Sequence, residues 1–229
     1  QRAFRRAARK ALLWPEEAST LYRESRTLTE LPGIGPYLEK IIHRWLDRPP
    51  AVPEPPAIRQ NFLTWTEARS ILETAPSWLE SVKGDLQMHT QWSDGSGSIQ
   101  EMAETADALG YEYIAITDHS KGLKIAGGIN EEQLEQQAAE VESVNQAFEN
   151  EGRILRVIHS LELNLNPAGG GDMTPESLRQ LDLVLGCFHS ALRKKEDQTE
   201  RYIAALRNPE IQILGHPRGR IYNFRLGLH

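Results

Sequence analysis

His89, His119, Glu162, His189 and His216 lie 30, 43, 27 and 27 positions apart, and each falls in the last turn, or just beyond the end, of a short apolar run. Asp94 sits in the loop after His89, and Asp118 directly precedes His119. A single histidine is usually a hydrogen-bonded core or surface group, but four imidazoles and a carboxylate at successive strand ends are not explained by packing. Imidazole and carboxylate donors without a thiolate suit Zn, Mn or Fe, and the joint presence of Glu162 and Asp94 favours a cluster of two or more ions.

Residues so far apart meet only if the runs that carry them are strands of one sheet. From Gly84 onward the expected strands are Asp85–His89, Tyr113–Thr117, Ile154–Leu163, Leu181–Phe188 and Ile211–Gly215. Between them, Ser98 and Glu101 form a capping box for a helix with Ile99, Met102, Ala103, Ala106 and Leu109 as its buried stripe, ended by Gly110. Asn130 to Phe148 is an amphipathic helix, Thr174-Pro175 opens a short one, and Gln198 to Leu206 is another. Near-continuous apolar strands separated by helices imply a parallel sheet with helices outside, closing as a barrel whose C-terminal strand ends surround one mouth.

Other polar residues near these strands divide by role. Lys121, Lys124, Arg218 and Arg220 flank His119 and His216 and are candidates for gripping a substrate phosphate. Asp118 either orients His119 or serves as a turn or capping carboxylate. Cys187 is expected to be a buried structural thiol rather than the nucleophile of a Cys–His pair. His159 has the opposite parity to Glu162 and should point away from the mouth; His43 is read as structural. His229, at a terminus with little to hold it, is not expected to ligate.

The first 50 residues carry ten Lys or Arg against six Asp or Glu, whereas the other 179 carry 16 against 26, so a basic head precedes an acidic body. The head should touch an anion and the body hold cations. Phe4, Ala8, Ala11 and Leu12 recur at helical spacing, with Arg2, Arg5, Arg6 and Arg9 as a second, basic stripe. Leu31-Pro32-Gly33-Ile34-Gly35-Pro36 is a tight turn opening an amphipathic helix with Pro36 at its first position. The N–H groups of Gly33, Ile34 and Gly35 are expected to be free there to bind a phosphate oxygen. This turn resembles the helix-hairpin-helix element, which grips the DNA backbone without reading sequence. The proline-rich run Arg48 to Pro56 then reads as a stiff linker. The expected organisation is a DNA-binding head over 1–47, linker and bridging helix over 48–80, and the α/β domain over 81–229.

Composition, with 39% hydrophobic and 25% charged residues, is that of a globular protein. The sequence has no run of about 20 apolar residues and no secretory signal, and its single cysteine cannot pair internally, so no membrane partner and a cytoplasmic location are expected.

Gly84 through His89 and on to Asp94-Gly95, Ile116-Thr117-Asp118-His119-Ser120, Glu162, Cys187-Phe188-His189-Ser190 and Gly215-His216-Pro217 resemble, in order and spacing, the motifs of the polymerase and histidinol phosphatase (PHP) superfamily. The nearest variety is the PHP domain of bacterial family X DNA polymerases, which also carry a helix-hairpin-helix domain upstream. The resemblance implies a distorted (β/α)7-type barrel, preceded by a small all-α domain, that holds two or three divalent ions and hydrolyses phosphate esters as a 3′-5′ exonuclease or 3′-phosphatase on DNA ends in repair. By position, His89, Glu162 and His189 would hold the first two ions with Glu162 bridging, while Asp94, His119 and His216 would surround the second and third. Gln87 stands where the superfamily has a histidine, a replacement that family X relatives share, and an amide is a weak ligand for such metals.

Two departures matter. No polymerase palm and no Asp-x-Asp pair occur, which argues against nucleotide addition. The sequence also stops after about five strands, short of the Asp and His that the resemblance places near the last, so a fragment of a longer protein is expected. Two other readings remain at this point: a small-molecule phosphatase of the histidinol-phosphate type, and a non-catalytic DNA-binding protein with a degenerate metal site.

Overall fold

The computed structural model describes residues Arg2–Leu228 and divides the chain after Ser81 into two compact units. Gln1 and His229, and with the latter its reading as a non-ligand, lie outside the described residues.

In the first unit, α1 (Arg2–Ala11), α2 (Ala18–Arg23) and α3 (Pro36–Asp47) enclose a core that includes Ala7, Leu21, Leu28, Leu31, Ile34 and Leu38. The buried residue of α1 is Ala7, and Ala8 is exposed, so the inward line runs Phe4, Ala7, Ala11 rather than through Ala8. Steps of three and four residues keep that line on one face. Arg2, Arg5, Arg6 and Arg9 are all exposed.

The turn before α3 corrects one expectation. Ile34 N–H donates to the Leu31 carbonyl at 3.1 Å, and Gly33 takes φ +91°. Proline second and a positive-φ glycine third make a type II turn, whose closing hydrogen bond consumes the Ile34 donor. Ile34 itself is buried. After the proline-rich stretch, a Thr64–Glu67 capping box starts α4 (Trp65–Thr74), followed by α5 (Ser77–Ser81). The Trp65 N–H and the Thr66 hydroxyl donate to the carbonyls of Leu12 and Trp14 at 2.7 and 2.9 Å, which ties α4 back to the end of α1.

In the second unit the strands are β1 (Gly84–Met88), β2 (Tyr113–Ile116), β3 (Arg156–Leu165), β4 (Leu183–Phe188) and β5 (Ile213–Leu214). They form one parallel sheet in the order β1-β2-β3-β4-β5. The connecting helices are α6 (Ile99–Ala108), α7 (Glu131–Asn150), α8 (Pro175–Leu178) and α9 (Thr199–Leu206). Every crossover joins neighbouring strands, and right-handed crossovers then put the helices on one face, so the other face becomes the inside of a curling wall. The fold is α/β, with the singly wound strand order of a β/α barrel. Capping boxes at Ser98–Glu101 and Asn130–Gln133 start α6 and α7.

The faces separate cleanly along β3. Val157, Leu161, Leu163 and Leu165 join Ile114, Ile116, Val184 and Phe188 in two clusters that also take residues of α6, α7 and α9. The other parity of β3, including Glu162 and Asn164, is left for the inner face. Among the described residues no helix is long and apolar enough to cross a membrane.

Candidate metal centre

Strand register explains the spacing of the polar residues. Ile116 pairs with His159, and beyond the end of β2 His119 pairs with Glu162 at the same 43-residue offset. Ser120 N–H donates to the Glu162 carbonyl and Glu162 N–H to that of Asp118, so the side chains of His119 and Glu162 stand side by side. Cys187 is paired with Asn164, and the chain then delivers His189 two residues on. Gly215 N–H bonds to the Gly186 carbonyl and sets His216 beside them. A Cβ at Gly215 would lie 2.3 Å from Cys187 Sγ, so the approach of these two strands requires glycine. His216 itself adopts φ +21°, a conformation that L residues rarely hold and that clusters at functional sites.

Glu162 is the hub, 1% exposed. Its Oε1 lies 2.8 Å from both His189 Nε2 and His216 Nε2; its Oε2 lies 3.3 Å from His89 Nε2 and 3.8 Å from His119 Nδ1. His119 Nε2 in turn faces Asp94 Oδ1 at 3.7 Å. The imidazoles stack along the rim, His89 on His119 with centroids 4.3 Å apart, then His119 to His189 at 5.3 Å and His189 to His216 at 5.2 Å.

Electrostatics follow from this packing. Burial alone would raise the Glu162 pKa, but hydrogen bonds from His189, His216 and His89 outweigh it and hold the group as a carboxylate. Burial opposes charge on His89 too, yet the Glu162 hydrogen bond prevails and raises its pKa. His216 is raised by the same partner, whereas burial keeps His119 below the ordinary histidine value.

The donor set fits divalent cations. His89 Nδ1 and His119 Nδ1 are buried without a hydrogen-bond partner, an arrangement costly unless something else binds there. Among the described residues three overlapping groups, His89–Asp94–His119, His119–Glu162–His189 and Glu162–Cys187–His216, each bring one donor atom per residue within 4.8 Å of one another. His119 and Glu162 are shared, the pattern a multi-ion cluster needs.

The geometry also places the other residues that the sequence singles out, Gln87 first. Its amide Nε2 donates to Glu162 Oε2 at 2.5 Å, so here it positions the hub carboxylate. Asp118 does not touch His119: it accepts from Thr90 N–H and hydroxyl, Ser93 hydroxyl and Gln137 amide, the turn-carboxylate role of the two considered. Lys121 is paired with Glu131, which lines a small cavity with His159 beside α7. Lys124 is exposed in a 3-10 turn. Arg218 is exposed, with Nε 3.4 Å from the Leu228 carbonyl, and Arg220 is partly buried. His159 is buried on the helix side, as parity requires. Cys187 is fully buried, and burial, with the Glu162 carboxylate beside it, pushes its thiol above the ordinary range, as befits a structural thiol; its sulfur nonetheless lies within ligand reach of Glu162 and His216, a donor not expected from the sequence.

Sequence reasoning missed Asn164, whose Oδ1 is 3.1 Å from His189 Nδ1. That contact fixes the ring so that Nε2 faces the hub. The signal was present: Asn164 is two residues from Glu162, hence on the same face of β3. Asp172 was missed too; it accepts from the Ser120 hydroxyl and Gly122 N–H and pins the loop after His119.

Comparison with known proteins agrees with this geometry. The family model of the PHP domain matches residues 85–219, more than half of the chain. The chain is 39% identical over 177 residues, 76% of its length, to the DNA polymerase/3'-5' exonuclease PolX of Bacillus subtilis, of which that match covers 30%. It is 33% identical over 138 residues to a protein named probable phosphatase from Acetivibrio thermocellus, covering 53% of that protein. A similarly named protein of Thermoanaerobacter sp. is 30% identical over 144 residues, with 55% covered. The chain thus spans about a third of the first relative and about half of the other two.

Proposed function

This chain belongs to the PHP family, and from that premise we propose that it is a metal-dependent phosphoesterase that hydrolyses phosphate esters at DNA ends, by 3′-5′ exonuclease or 3′-phosphatase action. The observation that carries the reading is Glu162, buried, with four imidazoles converging on it. His89, Asp94, His119, Glu162, His189 and His216 would hold two or three ions, Zn, Mn or Fe by donor type. Bound there, such ions supply a hydroxide at neutral pH and neutralise charge on the phosphoryl oxygens. The protein's share is orientation: Gln87 and Asn164 fix Glu162 and His189, and the backbone pairing of 119 with 162 sets the spacing.

DNA is proposed as the partner because of the head. Arg2, Arg5, Arg6 and Arg9 form an exposed basic stripe, and Gly33 and Gly35 lead into the N-terminus of α3, where a phosphate oxygen is favoured. The relatives named as phosphatases favour a second reading, a small phosphate ester as substrate.

Hydrolysis of a single-stranded oligonucleotide and of p-nitrophenyl phosphate under Mn and Zn titration tests these readings. Glu162→Ala and His119→Ala should abolish both activities; robust activity in both variants would sink the assignment of the centre. Replacing the four head arginines by serine should lower oligonucleotide hydrolysis and its salt sensitivity while sparing p-nitrophenyl phosphate; equal rates on both substrates would favour the small-ester reading.

A further inference from the structure

The second unit is acidic, yet two of its loops are not. Residues 189–198, which follow β4, and 216–228, which follow β5, contain Arg193, Lys194, Lys195, Arg218, Arg220 and Arg225 against only Glu196 and Asp197. The rest of residues 82–229 holds eight Lys or Arg against 20 Asp or Glu. Such segregation beside one end of a sheet marks the side from which an anion approaches.

The two loops form one surface. Leu192 is buried, and its methyl carbons lie 3.3 and 3.5 Å from where a Cβ on Gly219 would stand. Arg201 Nη1 donates to the Ser190 carbonyl, and Leu228 N–H to that of Arg218, so each loop is anchored at its base. Between these anchors, Ile221 and Arg225 pair across a tight turn that holds Phe224 out, 57% exposed. The Arg193 guanidinium sits over the Phe224 ring, 5.0 Å from its centroid. The hairpin is tied to the centre through the backbone: Arg225 Nε donates to the Gly219 carbonyl at 2.5 Å, and Gly219 N–H to that of His216 at 2.8 Å.

A large apolar ring held in water and backed by a guanidinium, on loops rich in Lys and Arg, is poorly explained as packing. It has the composition of a platform on which a nucleobase stacks while its phosphates meet arginines. We propose that Phe224, backed by Arg193, stacks the base of a single-stranded nucleic-acid end whose phosphodiester enters the centre at His189 and His216. This rests on the phosphoesterase reading above and adds to it the feature that would make a nucleotide chain, rather than any phosphate ester, the preferred substrate. Charge complementarity commits the surface to a polyanion, and the ring to one carrying π faces.

The test compares kcat/KM of the full chain for three substrates: a single-stranded oligonucleotide, the same oligonucleotide with an abasic 3′ nucleotide, and p-nitrophenyl phosphate. Phe224→Ala should lower kcat/KM for the intact oligonucleotide about 10-fold, mainly through KM, as loss of one base–aromatic stack predicts. It should leave p-nitrophenyl phosphate unchanged and lose most of its effect on the abasic substrate, and Phe224→Trp should restore the intact one. Equal losses on all three substrates would make the ring a structural support of the rim and overturn the proposal. Unchanged oligonucleotide hydrolysis in Phe224→Ala would also overturn it, with the phosphoesterase reading intact. An unsubstituted protein that cleaves p-nitrophenyl phosphate but no oligonucleotide would overturn both this proposal and the nucleic-acid reading.

Discussion

Two buried carboxylates, one just beyond the end of β2 and one on the neighbouring β3, have opposite fates. Asp118 is 0% exposed and Glu162 1%. Asp118 accepts from an amide N–H, two hydroxyls and a side-chain amide, all neutral donors on the 90–93 loop and α7. Its oxygens are saturated and it acts as a knot. Glu162 is ringed by imidazoles, whose ring nitrogens can trade a hydrogen bond to the carboxylate for a bond to a cation without moving far. What makes a buried carboxylate a candidate ligand is therefore less its own environment than whether its partners can also ligate.

Substitutions sharpen that contrast. The largest effect is expected at the hub: Glu162→Gln keeps shape but removes the charge, and bound metal and hydrolysis should fall by more than the 10–100-fold typical of an outer partner. Metal content of the purified protein with p-nitrophenyl phosphate turnover checks this, and cooperative urea unfolding should persist. The reverse pattern is expected at the knot. Asp118→Ala strands four buried donors and should cost about 3 kcal/mol in urea unfolding, with hydrolysis by the molecules that remain folded little changed. If instead it abolished metal binding in a stably folded protein, the distinction between the two carboxylates would fail.

The smallest effect belongs to His159, three residues before Glu162 but on the opposite face of β3. Burial depresses its pKa, so the unfolded chain takes up a proton more readily once the pH falls below the ordinary histidine value. The stability it protects is complete above about pH 6.5 and declines below that, at up to about 1.4 kcal/mol per pH unit, until the folded value is reached. Unfolding of unsubstituted protein and His159→Gln at pH 7.5 and 5.5 should show the gap between them shrinking at the lower pH. A gap that widened would mean that His159 is charged in the folded state.

Much of this is legible in the chain. The five strands, the Ser98–Glu101 cap and the outward turn of His159 follow from apolar runs, side-chain spacing and parity, all local properties. The type II turn is half legible: Pro32-Gly33 announces it, but a free Ile34 N–H is incompatible with a turn that closes on its own fourth residue. Proximity to His119 points Lys121 at the mouth, and only the fold shows Glu131, ten residues on, capturing it. Asn164, Asp172 and the sulfur of Cys187 escape sequence reasoning because their roles depend on which strand lies beside them.

The sequence by itself determined the alternation of strand and helix, the residue types that can bind cations, and the segregation of positive charge into the head and two loops. Tertiary structure alone decided which carboxylate became hub and which became knot, and which carboxylate captures Lys121. The reason is physical. Periodicity and propensity act over a few residues, whereas coordination and ion pairing act over a few ångströms, and only parallel strand register turns a 43-residue gap into neighbouring side chains.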